Sequence, residues 1–166
     1  MAPATHADRD DTTLMPPRNG GTDAVGTAPA KIEPEDLLSR LHAAQALLYT
    51  DGDATAMHDV LHADVTWHVP GSSAIAGTYH GIDEVLAYMR RRRFLTDASF
   101  RMHLREVLVG PTHFAAITDG TARIGGAEHR WTTVGLYQAH DRRIRTCSLI
   151  PFDQRAFDDI WRRPSG

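Results

Sequence analysis

The pattern of apolar positions along the chain predicts a small α+β domain behind a polar segment. Residues 1–32 are mostly Ala, Pro, Thr, Gly and Asp, with almost no large apolar side chain. Ordering such a segment costs backbone entropy and buries nothing in return. We therefore expect a disordered N-terminal tail over residues 1–32 and a single folded domain over residues 33–163.

Helical spacing governs the first part of this domain. Pro34 and the acidic residues after it suit a first helical turn, and apolar residues then recur every three or four positions up to Gly52. Asp53 can cap a second, short helix. A third helix is predicted from about Ile82, ending in the arginines of 90–93.

The remaining segments favour strands. Five are rich in β-branched and aromatic residues, over 65–69, 100–109, 114–124, 130–139 and 144–152. The last four are separated by short turn signals, and such connections favour antiparallel neighbours. The order of elements predicts a cone-shaped, curved antiparallel sheet covered on one face by three N-terminal helices, with a pocket between the two layers.

The composition limits the kinds of molecule that the chain is expected to bind. The formal net charge is −3, so there is no chain-wide basic field to hold nucleic acid or an anionic membrane. No apolar run approaches the length of a membrane span. Cys147 is the one cysteine, which excludes an intrachain disulfide and fits a reducing cytoplasm. We expect a cytoplasmic protein whose partner is a small molecule or another protein.

Three stretches of sequence resemble a known superfamily. They are Gly52-Asp53, His-Ala-Asp-Val-Thr-Trp-His-Val-Pro-Gly over 62–71, and Ala-Gly-Thr-Tyr-His-Gly-Ile-Asp-Glu-Val over 76–85. Together they resemble the nuclear transport factor two-like (NTF2-like) superfamily, closest in style to the SnoaL-like polyketide cyclases and ketosteroid isomerases. Arg142-Arg143-Ile144 stands where those proteins carry a Gly-Lys/Arg-Ile turn. The resemblance covers about 34–161 and implies a cystatin-like/NTF2-like α+β barrel.

The resemblance also implies positions for catalytic groups. Ketosteroid isomerases carry their general base three residues before a glycine, which here places His68 before Gly71. Their protonated oxyanion Asp corresponds to Val134, and their oxyanion Tyr corresponds to the stretch 41–43. Two of the three isomerase roles therefore lack their usual residue. The implied site is a pocket with His68 as its base, since imidazole titrates near neutrality. The alternative is a structural histidine that is hydrogen-bonded at the end of its strand.

Strand alternation adds a second catalytic candidate. Asp119 interrupts an otherwise apolar segment, and it faces the pocket if Ala115 and Ile117 do. A carboxylate there could orient a histidine or bind a ligand hydroxyl. The alternative is an Asp at a strand end or bulge beside Gly120. Alternation also puts Trp67 on the face of its strand opposite to that of His68.

Several other side chains could contact a substrate. The candidate substrate-binding residues are Trp67, Tyr49, Tyr79, His103, Thr132, Val134 and Ser148. Each could instead be a half-buried structural residue, and His103 could face solvent or another subunit.

Two polar patterns could have a function, but a structural interpretation is simpler for each. His58 and His62 have the i, i+4 spacing of a metal-binding pair, but no third ligand is evident, so we expect a solvated pair and no metal site. The arginines of 90–93 could attract an anionic substrate or an acyl carrier protein, but a solvated helix end is the simpler interpretation.

These observations support two functional hypotheses. The first is a cofactor-independent enzyme of secondary metabolism, a polyketide-type cyclase, isomerase or dehydratase that acts on a hydrophobic small molecule. The second is a non-catalytic ligand-binding or dimerisation module, and an epoxide hydrolase-like relative is a weaker option. We also expect a homodimer, because helices can cover one sheet face only and residues such as Trp131 and Tyr137 need another cover.

Overall fold

A computed structural model of the chain describes residues 33–162, so the tail expected over residues 1–32 lies outside the described residues. The helices are α1 (Pro34–Asp51), α2 (Met57–Val60), α3 (Gly81–Leu95) and α4 (Gln154–Ile160). The strands are β1 (Leu61–Val69), β2 (Gly77–His80), β3 (Arg101–Val109), β4 (Phe114–Ile124), β5 (Ala127–His140) and β6 (Arg143–Pro151). The predicted α+β class is confirmed.

Local signals explain the ends of the long helices. Proline occupies the first turn of α1, and Gly52 ends it with φ of 80° while its N–H donates to the Leu48 carbonyl at 3.0 Å. The Glu84 carboxylate accepts from the His80 N–H at 2.7 Å and so satisfies a donor at the start of α3. Within 33–162, no helix combines the length and hydropathy that a membrane span needs.

The strands form one curved, unclosed sheet in the order β2-β1-β6-β5-β4-β3. The meander from β3 to β6 is antiparallel throughout, as predicted. Its tight turns place Gly125 and Gly126 at φ of 59° and 85°, and Asp141 and Arg142 at 49° and 61°. Two successive residues with positive φ are typical of hairpin turns whose twist matches the sheet.

Two features of the sheet were not predicted. The strand β2 pairs antiparallel with β1, although its four residues are too few to predict a strand from sequence. The strand β1 also pairs with β6 in parallel, so the sheet is mixed rather than wholly antiparallel. Both features depend on contacts between segments that are distant in sequence.

The sheet has two unlike faces. We call the face toward α1 and α3 the inner face; it packs into the main core together with the apolar stripes of both helices. The opposite face is the outer face. Tyr137 is buried on the inner face, and Trp131 packs there against Phe100 and Trp161. The expectation that Trp131 and Tyr137 need a cover on the outer face is therefore wrong.

The side chains of β4 point to the opposite faces from those expected if Asp119 faced the pocket. Thr118 and Gly120 line the interior, whereas Ile117 and Asp119 face outward. A Cβ at Gly120 would collide with the Trp131 indole. Because the rings of Trp131 and Tyr137 fill the inner face beside the middle of β4, small side chains face inward there.

Candidate functional site

A cavity of about 30 Å³ lies between the helices and the inner face, room for about two water molecules. Helices α1 and α3 contribute His42, Gln45 and Arg92, and β1 contributes Trp67. The rest of the lining comes from the region 100–149, namely Phe100, Met102, Thr118, Gly120, Trp131, Thr133, Gly135, Tyr137 and Leu149. Within the described residues this lining contains no Asp or Glu, so its one fixed charge is the Arg92 guanidinium.

Arg92 is buried on the inward face of α3, with 4% of its surface exposed. Its Nη1 donates to the hydroxyl oxygens of Tyr49 and Tyr88 at 3.2 and 3.0 Å. Its Cζ lies 4.3 Å from the ring centre of Phe100 and 5.1 Å from that of Trp161. The expectation of a solvated arginine cluster over 90–93 is thus wrong for Arg92, while Arg90 and Arg91 are exposed.

The charge of Arg92 has no anionic partner in the described part of the chain. In residues 33–162, no carboxylate oxygen lies within 4.0 Å of the guanidinium. Burial raises the pKa of both Tyr49 and Tyr88, so these phenols stay neutral at neutral pH. The guanidinium therefore keeps its full positive charge inside an aromatic shell.

His42 brings a titratable group to the same cavity. It is half-buried on α1, and burial lowers the pKa of its imidazole to about 4. The ring is therefore neutral at physiological pH. Its buried Nδ1 has no hydrogen-bond partner among the described residues. A neutral imidazole with a free ring nitrogen can accept or deliver a proton.

His68, the base that the resemblance implied, does not reach this cavity. It is exposed on the outer face, where its Nδ1 shares a hydrogen bond with the Thr78 hydroxyl at 2.9 Å. Its neighbour Trp67 is buried and lines the cavity instead. The predicted alternation between these two residues is confirmed, but the expectation that His68 faces the pocket is wrong.

Asp119 is also on the outer face. Its Oδ1 accepts from the Thr132 hydroxyl at 2.6 Å and lies 3.5 Å from Arg105 Nη1. The strands that carry Asp119 and His68 are separated by β5 and β6. With a strand spacing of about 4.8 Å, three strand spacings alone separate the two residues by about 14 Å, and their register adds a further offset along the strands. The proposed partnership of Asp119 with His68 in one pocket is wrong.

Most of the predicted substrate-binding residues share this outer face. His103 and Thr132 are the register partners of Asp119, and Ser148 on β6 pairs directly with His68 on β1. Val134 lies between Ile117 and Ile150 in the same face. The expectation that His103, Thr132, Val134 and Ser148 line the pocket is therefore wrong. The alternation of side chains along a strand shows which residues share a face, but packing decides which of the two faces points inward.

The two predicted tyrosines are near the cavity but do not line it. Tyr49 is buried beside Arg92 and packs edge-on against Phe100, with ring centres 4.3 Å apart. Tyr79 is half-buried, donates to the Ile75 carbonyl at 2.8 Å and stacks on Tyr88. Tyr49 thus helps to hold the cationic side chain, whereas Tyr79 supports the shell behind it.

Sequence reasoning did not single out His42 or Arg92, although each had a signal. His42 stands in the stretch 41–43 that corresponds to the oxyanion Tyr of the isomerases, and it shares the inward stripe of α1 with Gln45. Arg92 continues the buried series of Val85 and Met89 at helical spacing. A polar residue in register with a buried stripe is the signal that would have found them.

The candidate metal pair has a different geometry from the one its spacing suggested. Helix α2 ends at Val60, so His62 belongs to β1 and shares no helical face with His58. Arg145 Nη1 donates to His62 Nδ1 at 2.9 Å. In the described residues, no group of three or more His, Cys, Asp or Glu side chains could hold a metal ion.

The fold defines the class, a cystatin-like or NTF2-like α+β domain, here with a cavity between helices and sheet. The family model of the SnoaL-like domain matches residues 42–146, and the chain belongs to this family. Among curated proteins, none matches the chain in sequence.

Solved structures share the fold. Bal32a, from a soil-derived mobile gene cassette, is 24% identical over 77% of this chain and 98% of its own, with a TM-score of 0.69. A protein of unknown function with a cystatin-like fold from Xanthomonas campestris is 20% identical over 76% and 98%, with a TM-score of 0.65. TerC, co-crystallised with polyporic acid, is 18% identical over 75% and 96%, with a TM-score of 0.62.

Proposed function

We propose that the chain is a cofactor-independent enzyme of secondary metabolism that moves a proton on a hydrophobic carbonyl compound inside this cavity. A polyketide-type cyclase, an isomerase and a dehydratase all need this step. His42 carries the proposal, because it places a neutral imidazole with a free Nδ1 on the cavity wall. The family membership and the small-molecule complex of TerC are consistent with such a site.

The proposed reaction begins at a carbon next to the carbonyl group. The His42 imidazole takes a proton from that carbon, and the electron pair of the C–H bond moves toward the carbonyl oxygen to form an enolate. The Arg92 cation stabilises the negative charge on this oxygen, and its effect is large because aromatic side chains keep water out. Return of the proton to another carbon completes an isomerisation.

Cyclisation and dehydration differ only in the second step. In a cyclisation, the enolate carbon bonds to a second carbonyl carbon, whose oxygen takes the proton. In a dehydration, the enolate expels a hydroxyl group, which leaves as water with that proton. Both use one group to take and return a proton, as a neutral imidazole can.

A non-catalytic binding domain is the second candidate, and the cavity size favours it. Room for about two water molecules requires side chains to move before a cyclic substrate can enter. An epoxide hydrolase-like site gains no support, because the Arg105–Asp119 pair is on the outer face. Proton exchange separates enzyme from binding domain: incubation with 2-tetralone in D₂O, followed by proton NMR, should show deuterium entering the α-carbon faster than in buffer.

We also propose a homodimer that forms through the outer face. Ile117, Val134 and Ile150 are neighbours across three strands of that face, and Leu136 adjoins them. Ile150 is 50% exposed and Leu136 is 36% exposed. A second copy of the same apolar face would cover it by two-fold symmetry.

Light scattering tests the dimer. At micromolar concentration the mass should be twice the 18.4 kDa of one chain. Val134→Lys should give the mass of one chain, because it puts a charge at the centre of the apolar face. Arg130→Ser, on the same face but at the end of β5, is the matched control and should remain a dimer. A monomeric wild-type protein would refute the proposal.

A further inference from the structure

The unpartnered polar atoms of the cavity lining point to the chemistry of its ligand. Arg92 Nε and Trp67 Nε1 are buried and have no hydrogen-bond partner among the described residues. A guanidinium and an indole N–H donate hydrogen bonds and accept none. A ligand that satisfies both groups must therefore supply acceptor atoms.

The unbalanced charge of the cavity restricts the chemical class of its ligand further. A buried cation costs several kcal/mol of desolvation, and aromatic faces offset only part of that cost. Arg92 has two neutral phenols and no carboxylate beside it within the described residues. An anion in the cavity would neutralise this charge without a protein carboxylate.

We propose that the cavity binds the carboxylate group of a small organic acid at Arg92. The carboxylate oxygens accept from Arg92 Nε and Trp67 Nε1, and the aromatic rings move to admit the apolar part of the acid, because the cavity has room for only about two water molecules. The hydroxyl-bearing residues Thr118 and Thr133, which are register partners on the inner face, line the same space. The carboxylate would occupy the position that the enolate oxygen takes at Arg92 in the proposed function, so this inference names a ligand class for the same cavity and requires binding there but no turnover.

The tryptophans provide the readout. The chain has three tryptophans; Trp67 and Trp131 line the cavity, and Trp161 lies against the Arg92 guanidinium. Sodium propionate should change the tryptophan emission of the full chain in a saturable way. Propionamide, the neutral analogue, should bind at least about tenfold more weakly, because it lacks the charge that Arg92 recognises. Propionate should also raise the melting temperature, whereas sodium chloride at equal ionic strength should not.

Two variants test the assignment to Arg92. Arg92→Met should weaken propionate binding about tenfold or more. It removes a buried charge but also leaves the Tyr49 and Tyr88 hydroxyls without their donor, so its melting temperature without ligand is measured beside that of the wild type. Arg91→Met removes an exposed arginine from the same helix and should bind propionate like the wild type. If Arg92→Met does not fold, Arg92→Lys replaces it and should bind propionate more weakly than the wild type.

Several outcomes would overturn the inference. They are equal responses to propionate and propionamide, equal responses to propionate and chloride, and undiminished binding by a folded Arg92→Met protein. His68→Gln, on the outer face, should bind propionate like the wild type. Propionate binding without proton exchange on 2-tetralone would support this inference and count against the proposed function, and the reverse result would do the opposite.

Discussion

His42→Gln should lower turnover by about 10²- to 10⁴-fold, the usual contribution of a positioned acid or base. Glutamine keeps a similar volume and one hydrogen-bonding group on α1, so the fold should be retained. The rate of α-proton exchange on 2-tetralone measures the effect without knowledge of the natural substrate. His68→Gln, on the outer face, is the control and should exchange at the wild-type rate.

The pH dependence gives a further check on His42. Because its pKa is lowered to about 4, exchange by the wild-type protein should be nearly constant across neutral pH and fall only toward pH 4. If the base were a solvent-exposed histidine, the rate would instead fall near pH 6.5. A rate that falls near pH 6.5, or a fully active His42→Gln protein, would contradict the assignment.

The same pKa predicts a change in stability that needs no substrate. The unfolded chain binds a proton at His42 near pH 6.5, but the folded chain does so only near pH 4. The free energy of unfolding should therefore decrease as the pH falls from about 6.5 to 4, by up to about 3 kcal/mol from this residue. Urea unfolding at several pH values should show a smaller decrease for His42→Gln than for the wild type.

Trp161→Ala should cost about 3–5 kcal/mol of the free energy of unfolding, as truncation of a buried tryptophan usually does. Trp161 follows α4, is 2% exposed, and packs against Phe100, Trp131 and Phe157. The loss should appear as a melting temperature lower by roughly 10–20 °C.

Phe94→Ala is the matched control for this truncation. Phe94 is 83% exposed, so the change should alter stability by less than about 0.5 kcal/mol. If Trp161→Ala costs no more than Phe94→Ala, then Trp161 does not close the core as its burial indicates.

Much of the fold could be predicted because its signals are local. Proline at the start of α1, glycine at its end and the two-residue turns of the meander each act within a few residues. The strand β2 could not be found in this way, because Gly77–His80 is a strand only through its pairing with β1. The parallel pairing of β1 with β6 likewise depends on distant segments.

The candidate site was harder to predict, because alternation leaves the choice of inward face open. In β5, Gly135 faces inward and a Cβ there would collide with the ring of Tyr137. The aromatic side chains of β5 thus leave room only for a small residue beside them on the inner face, and Thr132 and Val134 face outward. The polar strand residues chosen as site candidates therefore lie on the wrong face of the sheet. The polar residues that do line the cavity, His42 and Arg92, stand in the inward stripes of the helices.

The most direct test of the central claim, that the ligand site is the cavity, is a crystal structure of the protein soaked with 2-tetralone. The ketone should lie between the helices and the inner face, with its carbonyl oxygen toward Arg92 and its α-carbon within reach of His42. Aromatic side chains of the lining should have moved to admit it. A ketone bound on the outer face beside His68 or Asp119, with the cavity unchanged, would contradict the claim.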